Sequence, residues 1–66
     1  MSTNHEITEE EISFTIWQHI TTYGEERALE GFLRNAEDDR SEGDYEGAAF
    51  NDRCAAVIRA EQARSN

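Results

Sequence analysis

Sixty-six residues give room for one domain, and fifteen Asp and Glu against six Arg and no Lys give a formal net charge of −9. A chain this acidic is repelled by phosphate backbones, so direct nucleic-acid binding is not expected, and its complementary partners are basic surfaces. The single cysteine, Cys54, excludes an internal disulfide, which fits a reducing cytoplasm rather than a disulfide-stapled secreted scaffold.

Met1–Glu6 is polar and has neither the apolar run of a signal peptide nor that of a membrane span. Residues 1–7 read as a flexible tail, followed by a single helical domain over 8–64. At Thr8 the pattern changes. Thr8-Glu9-Glu10-Glu11 has the form of a capping box, and three carboxylates in a first turn suit the positive end of a helix dipole. Ile12, Ile16, Ile20 and Tyr23 then lie within an arc of about 80° on a helix.

Residues 12–17 also satisfy a second period. Ile12, Phe14 and Ile16 alternate with Ser13, Thr15 and Trp17, residue types that favour strands. The capping box favours the helix. On that reading Phe14 and Trp17 fall to one side of the isoleucine stripe and widen the apolar face to roughly 200°, more than one packed neighbour covers. That excess points to a dimer or partner surface.

Gly24 punctuates the chain, and Glu25-Glu26 open a second helix. Its inward face is Ala28, Leu29, Phe32, Leu33 and Ala36, with Gly31 weakening it by about 1 kcal/mol relative to Ala. The run Glu37-Asp38-Asp39-Arg40-Ser41-Glu42-Gly43-Asp44 is the next turn, with fraying expected near Arg40. Asp44 is suited to cap a third helix. There Phe50, Cys54, Val57 and Ile58 form the expected core stripe, Tyr45, Ala49, Ala56, Ala60 and Ala63 form a second line of mostly small residues, and Arg64-Ser65-Asn66 should fray. The expected fold is therefore all-α, a three-helix arrangement that is dimeric because so short a chain buries little surface alone. The alternative is an N-terminal strand followed by two helices, paired with a second chain.

No catalytic, cofactor-binding or metal-ligating constellation is expected. His5 and His19 are not paired with a nucleophile motif, and one Cys with two distant His is not a zinc pattern. Measured from Asp38, the acidic turn places Gly43 at the sixth position of a calcium loop. However, Arg40 takes the third position and Ala49 the twelfth, where a bidentate Glu is required. What remains is carboxylate geometry. Glu37, Asp38, Asp39, Glu42, Asp44 and Glu46 are the first choice for a partner surface, with Glu25, Glu26 and Glu30 beside them and Phe14 and Trp17 as an apolar anchor.

In size, acidity and lack of catalytic motif the whole chain resembles the small inhibitors of phages and mobile elements, among them anti-CRISPR and DNA-mimic proteins. That resemblance implies a stoichiometric blocker acting in the bacterial cytoplasm on a basic, nucleic-acid-handling protein. Ile12-Ser13-Phe14-Thr15-Ile16, a helical stretch to Leu33, Gly43-Asp44-Tyr45 and an Ala-rich last helix are similar to the ribbon-helix-helix layout of ParD-type antitoxins. This second resemblance implies a dimeric regulatory or antitoxin-like module in which Ser13, Thr15 and Trp17 would face a groove. Glu9-Glu10-Glu11, Asp44 and Glu46 oppose DNA contact at those places. A third expectation is an adaptor subunit docked through the wide face of the first helix.

Overall fold

The computed structural model describes residues 8–65, which form three helices: α1 (Glu9–Tyr23), α2 (Glu25–Ser41) and α3 (Tyr45–Ser65). No strand occurs among the described residues, so the strand alternative for residues 12–17 does not hold. The reason is local and tertiary at once. The Thr8 hydroxyl accepts from the Glu11 amide (3.1 Å) while the Glu11 carboxylate accepts from the Thr8 amide (3.3 Å), closing the capping box. The helix so started turns Ile12 and Ile16 into the core together, whereas a strand needs a partner chain before it buries either. The tail expected over residues 1–7, with His5, lies outside the described residues.

One residue separates α1 from α2. Gly24 has φ +92° and ψ 160°, a region essentially reserved for glycine, and its amide still donates to Ile20 O (2.9 Å). The chain reverses there, so α2 returns alongside α1. The α2–α3 connection is a Schellman motif. Gly43 takes φ +85°, its amide donates to Arg40 O (3.1 Å), and the Asp44 amide donates to Asp39 O (2.8 Å). Asp44 Oδ1 then accepts from the Gly47 amide (3.1 Å), the expected N-cap of α3. With the turn this tight, α2 extends through Ser41 rather than fraying at Arg40, and α2 and α3 pack antiparallel.

The core contains Ile12 and Ile16 from α1, Ala28 and Phe32 from α2, and Cys54, Ala55 and Ile58 from α3. Ile20, Leu29, Leu33 and Phe50 are half-buried around it. One expectation for α3 is corrected. Val57 is 39% exposed and Ala55 is buried in its place, because Asn51, Cys54, Ala55 and Ile58 share the inward face at i, i+3, i+4 and i+7. The line Tyr45, Ala49, Ala56, Ala60 and Ala63 is exposed. At the C-terminus α3 continues to Ser65, whose hydroxyl donates to Glu61 O (3.0 Å). Tyr23, at the last turn of α1, is exposed rather than part of the buried stripe.

Candidate interaction surfaces

Because α1 and α3 both run antiparallel to α2, the first turns of α1 and α3 and the last turn of α2 meet at one end of the molecule. The ion pair of Arg53 with Glu9 (3.0 Å) ties the first turn of α1 to the third turn of α3. An open cleft of about 510 Å³ is bounded by Glu11 of α1 and by Asp44, Glu46, Ala49, Phe50 and Asn51 around the start of α3. The acids of the second turn are thus joined by Glu11 of the first turn of α1, which sequence reading left in a separate group. The signal for that convergence is absent from the local sequence, since it depends on the direction in which α1 returns.

Glu37, Asp38, Glu42, Asp44 and Glu46 are exposed, and Asp39 is half-buried. Asp39 is the fixed member, accepting from Asn51 Nδ2 (3.1 Å), which also donates to Gly47 O (3.0 Å). The one arginine in the run, Arg40, turns across to Asp52 on α3 (2.8 Å). No other described residue forms an ion pair with Glu37, Asp38, Glu42, Asp44 or Glu46. Asp38 and Asp39 also stand in the last turn of α2, at the negative end of its dipole, where a carboxylate is locally destabilising. Asn51 and Asp52 were not singled out by sequence, yet they hold Asp39 and draw Arg40 aside.

Glu25, Glu26 and Glu30 are exposed but belong elsewhere. Along the axis of α2, Glu25 and Glu26 stand about 18 and about 16 Å from Glu37, and Glu30 about 10 Å, two turns away, so they form a group apart from the acidic end. Glu30 borders a shallow depression with Arg27, Gly31 and Arg34.

Phe14 and Trp17 are 58% and 63% exposed, with ring centroids 6.4 Å apart and planes inclined by 26°. On the helical wheel Phe14 lies about 180° from the Ile12–Ile16 face. The pair therefore occupies the outer wall of α1, away from the core. His19, on the same helix, faces inward. Its ring lies 4.6 Å from that of Phe32, and Nδ1 is 2.9 Å from Thr15 O.

Cys54 is fully buried, and burial pushes its thiol up to about 11 against the opposing pull of the Arg53 guanidinium. The thiolate that nucleophilic chemistry needs is scarce at neutral pH. Among the described residues no three His, Cys, Asp or Glu converge as a metal-binding group, and no helix is long and apolar enough to cross a membrane. Comparison with family models, with curated proteins and with solved structures found no match.

Proposed function

We propose that the protein is a non-enzymatic acidic interaction protein that occupies a basic surface on another protein, in the manner of a stoichiometric inhibitor of a bacterial nucleic-acid-handling protein. The observation that carries this reading is the acidic second turn, Glu37, Asp38, Asp39, Glu42, Asp44 and Glu46, with Glu11 of α1 brought beside Asp44 and Glu46 around one cleft. Like charges this close repel, and two of them oppose a helix dipole. Arg53 pairs with Glu9 at the edge of the array, while Arg40, the arginine within the second-turn run, turns to Asp52. A field of this kind competes with phosphate for a basic groove and speeds encounter with it.

The cleft adds a means of contact. Phe50 and Ala49 give it an apolar floor, and Glu11, Asp44 and Glu46 stand around it. A long basic side chain lays its methylene stem on such a floor and brings its charged head to the carboxylates.

The test is capture from bacterial lysate with the full chain, beside the triple variant Glu37→Lys, Asp38→Lys, Glu42→Lys. The expected result is retention of a basic nucleic-acid-binding protein by the parent chain, release of that protein by added DNA, and steep loss of the complex between about 50 and about 500 mM NaCl. Undiminished capture of the same protein by the triple variant overturns the reading.

A further inference from the structure

The outer wall of α1 is unlike the rest of the surface. No Asp, Glu, Lys or Arg occurs between Glu11 and Glu25, in a chain that is 32% charged. Ser13, Phe14, Trp17, Gln18 and Thr21 are all exposed there, and the two aromatic rings stack on each other at its centre. A basic partner finds no carboxylate on this wall beyond Glu10, and an anionic membrane is repelled by the net charge of −9. For two copies of a chain this acidic, it is the wall on which close approach brings the fewest like charges together.

From this we infer that the protein self-associates through α1 packed antiparallel against α1 of a second copy, with Phe14 and Trp17 as the contact. The register follows from the pair itself. A two-fold axis that sets Phe14 against the partner's Trp17 crosses α1 between Thr15 and Ile16, within a residue of the midpoint of Glu9–Tyr23. The two helices then overlap along their full length, about 22 Å. In this register Ser13 faces the partner's Gln18, and Glu10 faces the partner's Thr21, so each Glu10 carboxylate meets a hydroxyl. The two Glu10 side chains are about 16 Å apart along the axis, roughly two Debye lengths at physiological salt. A parallel pairing sets both acidic first turns side by side and is disfavoured.

The area is small. Four rings of about 150–250 Å² each, some three-fifths exposed, withdraw roughly 350–600 Å² from water. With the flanking polar side chains the contact approaches the roughly 1,000 Å² at which specific interfaces begin. The dimer is therefore weak and exchanges with monomer. This inference is independent of the acidic end, and the response to salt separates the two. Salt screens repulsion between copies and strengthens the dimer, whereas it weakens capture of a basic partner.

The experiment is sedimentation equilibrium on the full chain from about 10 µM to about 1 mM, at about 50 and about 500 mM NaCl. Emission from Trp17, the single tryptophan, is read on the same samples. The expected result is a monomer–dimer equilibrium tightened several-fold by salt, with the emission moving to the blue as dimer forms. Phe14→Glu and Trp17→Ala, both at exposed positions, should each weaken it at least tenfold while circular dichroism stays helical. The acidic-end triple variant should still dimerise. A monomer throughout at the higher salt, or a dimer indifferent to both α1 substitutions, overturns the inference.

Discussion

Cys54 contributes to stability through its protonation. The folded thiol titrates near 11 and its ordinary value is 9.0, so between these pH values the unfolded chain loses a proton that the folded chain keeps. The contribution is fully present below about pH 9 and is lost as the pH rises through 11, a change of about 2–3 kcal/mol. Denaturant titrations of the parent chain and of Cys54→Ala at pH 8 and at pH 10.5 should show a steeper alkaline loss in the parent. The stripe position of Cys54 was legible in the sequence. That of Val57 was not, because a helix of mixed Ala and larger residues has more than one plausible inward face. The choice fell to Ala55, which is buried in the core, and Val57 was left at the edge.

At the scale of the helices, Gly31 and Gly47 look alike in sequence and differ in structure. Nothing lies within 4 Å of where a Cβ on Gly31 would stand. On Gly47 it would stand 2.5 Å from Asp44 Oδ2 and 2.7 Å from Asp39 Oδ2, and those carboxylates hold the α3 cap and the Asn51 bond. Gly31→Ala should raise stability by about 1 kcal/mol through helix propensity. Gly47→Ala should give no gain, since disturbing an N-cap costs about 0.5–2 kcal/mol. Thermal melts of the two variants beside the parent check the contrast. Helix starts were the most legible features of the chain, because Thr8 with Glu11, and Asp44, are chemical signals confined to three or four residues. Residues 12–17 satisfied a helical and an alternating pattern equally, and the packing of Ile12 and Ile16 on α2 and α3 decided between them.

For the whole molecule the balance is narrow. A chain of 66 residues has a stability of only several kcal/mol, and its largest fully buried side chains are Phe32, Ile12, Ile58 and Cys54. Crowding carboxylates at one end subtracts from that margin through repulsion, which salt screens. Raising NaCl from about 20 to about 500 mM should therefore raise the midpoint of thermal unfolding by several degrees, about 4–8 °C for each kcal/mol recovered. The gain should shrink in the variant Glu37→Lys, Asp38→Lys, Glu42→Lys, as scanning calorimetry at the two salt concentrations would report.

The sequence by itself determined the two later helices, the caps at Thr8 and Asp44, the glycine turns and most of the inward residues, because each rests on contacts within a few positions of the chain. It determined the surplus of negative charge as well. The tertiary structure decided how that charge is distributed. Chain reversal at Gly24 and at Gly43 brought Glu11 beside the acids of the second turn and left Glu30, Glu26 and Glu25 about 10, about 16 and about 18 Å from Glu37 along α2. It also decided that α1 spends its isoleucines on the core and turns Phe14 and Trp17 outward. Both outcomes depend on which helix lies beside which, and that is set by the summed packing of residues far apart in the chain.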